Sequence, residues 1–247
     1  MDLFFELHKD LPREGPGDNA STARAFAMIP GLPPRPRILD IGCGPGKQTF
    51  VLAARSGGHV TALDKHRPFL DELTRLVSQA GLARRIAPLE GDMAALDFAD
   101  ESFDLLWSEG AIYILGFERG LREWKRLLKP GGGLAVTEIS WLVENPPAEA
   151  LAFWGREYPQ MKSVAENLEI VERCGYRLLD HFTLPQSAWW EQYYTPMEVR
   201  LEMLRAQNAA NPEALRLLDE SQAEIDLYRK FGDSYGYEFY VMQKNRE

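Results

Sequence analysis

The chain has 247 residues, 45% hydrophobic and 26% charged, an ordinary globular composition that excludes a disordered protein and suits one α/β domain of roughly 150 to 250 residues with added segments. Its 28 basic and 37 acidic side chains give a formal charge of −9, and basic residues gather only in short pairs such as Arg84-Arg85, which argues against a nucleic-acid partner. Cys43 and Cys174 fit neither a disulfide framework nor a thiol metal site, and no stretch reads as a secretory signal or a membrane span, so the expectation is a cytoplasmic protein without a membrane partner.

Leu3, Phe4, Leu7 and Leu11 recur at helical spacing and predict a helix that ends at the Pro/Gly-rich break from Pro12 to Gly17. Asp18 or Asn19 caps a second helix running to about Met28, and Pro30 to Pro36 forces an extended connector. Arg37 to Ile41 reads as a buried strand, Lys47 to Arg55 as a helix stopped by Gly57-Gly58, and Val60 to Leu63 as a second strand closed by Asp64. The alternation continues with helix Pro68 to Gln79, strands Arg85 to Leu89 and Phe103 to Trp107, helix Phe117 to Leu128 and strand Leu134 to Ile139. Such alternation implies right-handed βαβ units and a mostly parallel sheet with helices on both faces. After Trp141 the pattern changes: helices run from Pro146-Pro147 to about Gly155 and from Ser163 to Cys174, and strands from Tyr176 to Leu184 and Tyr237 to Gln243. The helix-forming stretch between those two strands is too long for a hairpin loop.

The strand at Arg37 to Ile41 runs into Gly42-Cys-Gly-Pro-Gly46, where glycines let the backbone turn sharply and approach a ligand at a helix N-terminus. The dinucleotide fingerprint G-x-G-x-x-G places its third glycine one residue later, so the turn is one residue short of it. Asp64 closes the second strand, where a carboxylate can accept both ribose hydroxyls or merely cap the following helix. Cys43 reads as a small loop residue. The four histidines have no metal-ligand spacing, so no metal is expected.

Asp40 with the compact G-x-G-x-G, Asp64, the Glu90-Gly-Asp-Met93 segment, Ser102 to Trp107 and Leu128-Lys-Pro-Gly-Gly132 together resemble the class I S-adenosylmethionine-dependent methyltransferases. Trp107 to Arg119, with Arg13 to Gly17, is similar to a bacterial and archaeal group of that family. The resemblance implies a doubly wound, Rossmann-like, mostly parallel seven-stranded α/β sheet with an antiparallel last strand and a helical insertion between the last two strands. It implies one domain over 1–247: a helical lid at 1–34, a core at 35–184 and 235–244, and a substrate-capping insertion at 185–234. It also implies S-adenosyl-L-methionine as cofactor. Arg13, Asp40, Gly42, Cys43, Gly44 and Gln48 would serve its amino acid part, Asp64 and Lys65 the ribose, Gly91, Asp92 and Met93 the adenine, with Glu109 beside them.

Glu109 and Tyr113 follow the fourth strand, where the methyl group should point, and are the candidate catalytic residues: Glu109 to take a proton or bind an amine, Tyr113 to orient the acceptor. A role for Glu109 confined to cofactor or backbone is equally open. The aromatic set Trp141, Trp154, Trp189, Trp190, Tyr193 and Tyr194 is expected either to roof an apolar or cationic acceptor or to fill the core, and His181 is a further pocket candidate. The expected acceptor is a small molecule, and the protein a monomer or homodimer. A protein or RNA acceptor is disfavoured because Ser108-Glu109-Gly110 replaces the Asn/Asp-Pro-Pro-aromatic motif of enzymes that methylate planar nitrogens. The same residues also admit a catalytically silent cofactor-binding protein, while the glycine spacing disfavours a nicotinamide oxidoreductase.

Overall fold

The computed structural model describes residues 3–8 and 11–245. Lys9 and Asp10, which the apolar spacing places in the first helix, lie outside the described residues, as does the side chain of Phe4. Helix α1 spans Leu3–His8, so Leu11 follows it rather than ending it. Helix α2 (Asn19–Ala27) is capped by Asp18, whose carboxylate accepts from the Ser21 N–H.

The core alternates as expected: β1 (Arg37–Ile41), α3 (Lys47–Ser56), β2 (His59–Asp64), α4 (Arg67–Gln79), β3 (Ile86–Glu90), β4 (Phe103–Ser108), α5 (Phe117–Trp124) and β5 (Leu128–Trp141). Helix α6 (Ala148–Glu157), the two-residue strand β6 (Lys162–Ser163), α7 (Val164–Arg173) and β7 (Tyr176–Thr183) follow. Ser163 and Glu166 close a reciprocal capping box at the start of α7. The insertion folds as α8 (Gln186–Trp189), a π-helical turn (Trp190–Tyr194), α9 (Thr195–Gln207) and the 20-residue α10 (Pro212–Phe231), before β8 (Tyr235–Lys244).

The sheet order is β3-β2-β1-β4-β5-β8-β7, with β6 added beside β5 as an eighth, minor strand that the sequence did not predict. Strands β1 to β5 pair in parallel, and β8 runs antiparallel to both β5 and β7. Both faces are covered, so the central strands are buried nearly throughout. Side chains alternate between two cores: Ile38, Leu105, Trp107 and Phe239 pack on one face, Leu39, Leu106, Val136 and Tyr240 on the other. The chain reverses direction of winding between β1 and β4, and ligands of such sheets bind in the crevice beyond the strand ends at that point.

Candidate functional site

A cavity of about 660 Å³ opens at this switch point, lined by the loops after β1, β2, β3 and β4 and by the N-terminal segment around Arg13 to Pro16. The glycine turn is tied to the neighbouring strand: the N–H groups of Gly42 and Cys43 both donate to the Leu63 carbonyl, at 2.8 and 3.0 Å. Gly42 has φ +72°, and a Cβ there would fall 2.4 Å from the Ala111 methyl. Gly46 has φ +91°, and its Cβ would fall 2.4 Å from Leu73 of α4. A side chain at position 46 would thus meet both a left-handed backbone and the Leu73 side chain.

Asp64 is oriented by backbone. Its Oδ2 accepts from the Gly44 N–H and its Oδ1 from the His66 N–H, both at 2.8 Å, which leaves lone pairs on each oxygen for a ligand in the cavity it lines. Asp64 thus bonds the start of the following segment and also faces the cavity. Lys65 reaches across to Asp92 at 2.9 Å, and Asp92 also accepts from the Ala94 N–H. These two bonds, the lysine first, hold the exposed Asp92 carboxyl below its ordinary value. Gly91 and Met93 complete that wall.

Asp40 does not reach the cavity. It is fully buried behind the turn and accepts from Thr49 Oγ1 at 2.5 Å and Gln48 Nε2 at 3.4 Å, while Gln48, which does line the cavity, also donates to the Cys43 carbonyl. Burial pushes the Asp40 carboxyl up to about 7, against the opposing Thr49 bond. Any effect of Asp40 on a ligand runs through Gln48 and the turn. The Cys43 thiol is buried and raised well above its ordinary value by that burial, which suits a packing residue rather than a nucleophile.

Glu109 is held by three donors from three segments: Thr22 Oγ1 (2.7 Å) and Trp107 Nε1 (2.8 Å) on Oε1, and Arg13 Nη1 (3.2 Å) on Oε2. Arg13 and Glu109 are 6% and 5% exposed, and Arg13 also donates to Asn19. The pair fastens the N-terminal segment to the end of β4. Tyr113 faces the cavity, and burial pushes its phenol above the ordinary value, so it is a neutral donor.

Beyond Tyr113 lies a second chamber of about 230 Å³, which shares His8, Glu14, Gly15, Pro16, Gly110 and Tyr113 with the first. Of the expected aromatic set, Trp154, Trp189 and Tyr193 line it. Tyr194 is core, and Trp141 and Trp190 pack on Tyr235 and Tyr194 away from both cavities. His181 is a correction: on β7 it bonds Glu238 at 2.5 Å and lines neither cavity, because the strand register sets it on the sheet beside that glutamate.

Sequence reasoning missed a ring wall made by Phe5 and His66, stacked at 3.6 Å, with Phe69 edge-on to His66. It also missed Glu157, Tyr158, Glu224 and Tyr237 of the second chamber. The one available signal was Pro68-Phe69 directly after the acidic end of β2.

An α/β sheet with a glycine turn, an acid-ended β2 and a cavity at the switch point defines a Rossmann-like site for a nucleotide-type ligand. Residues 38–132 match the family model described as a methyltransferase domain. A sterol 24-C-methyltransferase of Neurospora crassa is 26% identical over 209 residues, covering 78% of this chain and 55% of the relative. A ubiquinone/menaquinone biosynthesis C-methyltransferase of Ruegeria is 38% identical over 120 residues, 47% of this chain and 48% of the relative. The chain spans about half the length of these curated relatives. A SAM-dependent methyltransferase of Thiobacillus denitrificans, solved with S-adenosyl-L-homocysteine, superposes with TM-score 0.84 at 20% identity over 99% of each chain. Residues 38–132 thus resemble a methyltransferase domain, and the whole chain shares the fold of this S-adenosylmethionine-dependent methyltransferase.

Proposed function

We propose that the protein transfers a methyl group from S-adenosyl-L-methionine to a small-molecule acceptor. The observation that carries the reading is the pair of joined cavities, one of about 660 Å³ and one of about 230 Å³, meeting at Gly110 and Tyr113. The first has the size of an ordinary small-molecule site, about 300–1,000 Å³, and the second is smaller than that range, which favours a compact acceptor over a macromolecule.

The residues present fit such a cofactor. At Gly42 a side chain would collide with Ala111, so bare backbone faces the ligand there. Asp64 presents a carboxylate already fixed by two N–H groups, as a ribose diol requires. Arg13 and Gln48 would serve the amino acid end, Asp92 the adenine amine and Met93 the ring face, with the N-terminal segment as lid and α8 to α10 as acceptor cap. When bound, the cofactor supplies an electrophilic methyl carbon whose bonding electrons remain on sulfur after transfer.

The chain's own contribution is positioning. Holding the acceptor aligned and dry supplies about 7–11 kcal/mol in favourable cases. Tyr113 would orient the acceptor through a neutral hydroxyl. Glu109 would act as a positioning residue, since its three donors leave it engaged with the lid rather than open to take a proton. The two free, buried cysteines support a reducing, cytoplasmic setting, and no helix among the described residues is long and apolar enough to cross a membrane. Calorimetry tests the reading: binding of S-adenosylhomocysteine and none of NADH is expected, and the reverse overturns it. A methyl-transfer screen over metabolite pools with labelled cofactor then tests activity.

A further inference from the structure

The second chamber differs from the first in its charge. Arg13, Lys47 and Lys65 line the cofactor cavity, whereas the chamber is lined by Glu14, Glu157 and Glu224 without a lysine or arginine among its described lining residues. The rest of its wall is largely ring: Trp154, Tyr158, Trp189, Tyr193 and Tyr237. Trp189 stacks on Tyr237 at 5.3 Å, and Tyr158 meets Tyr113 edge to face at 6.0 Å.

Glu224 sits on α10 with its Oε1 accepting from the Tyr194 hydroxyl at 2.8 Å, and its Oε2 has no donor among the described residues. The cations of α10 are engaged elsewhere: Arg216 with Glu220, Arg229 with Glu198 and Asp226, Lys230 with Glu149. A desolvated carboxylate without a counter-charge is costly, and ring faces attract cations. A neutral acceptor such as a phenol supplies no counter-charge, and burial then pushes the Glu224 carboxyl up toward its protonated form. A compact cation balances it and fits the volume.

We propose that the chamber binds an alkylammonium acceptor, with Glu224 as its counter-charge, Glu157 at the mouth, and the rings of Trp154, Tyr158 and Tyr193 around its alkyl groups. This rests on the methyltransferase reading above. Glu224 and Glu157 thereby become specificity-determining residues. Before transfer the ammonium would give its proton to a chamber carboxylate, and the freed nitrogen lone pair would form the new N–C bond while the electrons of the broken S–C bond stay on sulfur. The product, one methyl richer, is again a cation.

The test uses the whole protein saturated with S-adenosylhomocysteine, titrated with choline chloride and with its neutral isostere 3,3-dimethyl-1-butanol, read by calorimetry and by quenching of the chamber tryptophans. Choline should bind at least about tenfold more tightly than the alcohol. Glu224→Gln keeps an oxygen for Tyr194, and should erase most of that preference while leaving the affinities for the alcohol and S-adenosylhomocysteine within about twofold. If Glu224→Gln does not fold, Glu157→Gln at the exposed mouth should still lower choline affinity by about threefold. Equal binding of the two probes overturns the inference, as does a preference that survives in the folded variants. S-adenosylhomocysteine binding without charge preference sinks this inference alone; failure of S-adenosylhomocysteine to bind sinks the methyltransferase reading and this inference with it.

Discussion

Glu109→Gln separates a carboxylate that fastens the N-terminal segment from one that takes a proton. The glutamine fits the same volume, but its NH₂ must face either the Arg13 guanidinium or the Thr22 hydroxyl and Trp107 indole, and both the guanidinium and the indole N–H need an acceptor. In either orientation the buried Arg13 charge loses its counter-ion, and with the NH₂ turned toward it keeps only Asn19 as acceptor. Removing one partner of a buried pair costs about 3–5 kcal/mol. For a chain of this size each kcal/mol shifts Tm by about 2–4 °C, so a fall of about 6–20 °C is expected. Because Arg13 lines the cofactor cavity, affinity for S-adenosylhomocysteine should fall in parallel. Thermal scans with and without S-adenosylhomocysteine, together with calorimetry, read both effects. A variant with unchanged Tm and affinity but abolished turnover would refute the reasoning and make Glu109 the proton acceptor.

Asp64→Ala removes a ligand-facing carboxylate and the anchor of the Gly44 N–H, and should weaken S-adenosylhomocysteine by at least about tenfold in calorimetry; unchanged affinity would take Asp64 out of the site. Gly42→Ala forces a Cβ into the left-handed region, at about 1–2 kcal/mol, and against Ala111. The double variant with Ala111→Gly should recover the steric part of the loss in chemical denaturation, and no recovery would mean that the contact is not what excludes a side chain. Tyr113→Phe should lower turnover while S-adenosylhomocysteine affinity stays within about twofold; equal losses in both would move Tyr113 to the cofactor side. Glu138 on β5 is 2% exposed, and burial pushes its carboxyl from 4.5 up to about 8 despite the hydroxyl of Tyr158 on Oε1. The folded state therefore holds a proton that the unfolded state releases. The associated stability is full below the unfolded value and is lost as pH rises through the folded one, about 3 kcal/mol between pH 5 and 8. Glu138→Gln should flatten the stability–pH curve by that amount, and an unchanged slope would show that Glu138 is ionised when folded.

The parts of the site that were legible in the sequence sit at strand ends. Asp64, Gly91 and Asp92 each follow a run of strand-forming residues, so the βαβ pattern alone brings them to one crevice. The glycine turn was legible too, although the reason for Gly46, its contact with Leu73, was not. Glu109 was found by position, but what holds it was not legible, because two of its three partners, Thr22 and Arg13, lie far off in sequence on the N-terminal segment. Glu224 was invisible for the same reason: within α10 it is one acid among several, and only the packing of α10 against Tyr194 and the chamber sets it apart. In the fold, β5 begins six residues earlier than the apolar run, since Leu128 to Gly133 pairs irregularly with β4 through a turn-like sequence.

Strand β8 is synthesised after β7 and α10, yet it lies between β5 and β7 in the sheet. About a hundred residues separate the end of β5 from the end of β8. At about 5–20 residues per second, a ribosome needs roughly 5–20 s to make them. For that interval the long edge of β5 has no neighbour over most of its length, and such an edge is a template for pairing with other chains. Nascent protein should therefore need protection by a chaperone until β8 is released, and slowing translation within α9 and α10 should lower soluble yield without altering the folded protein.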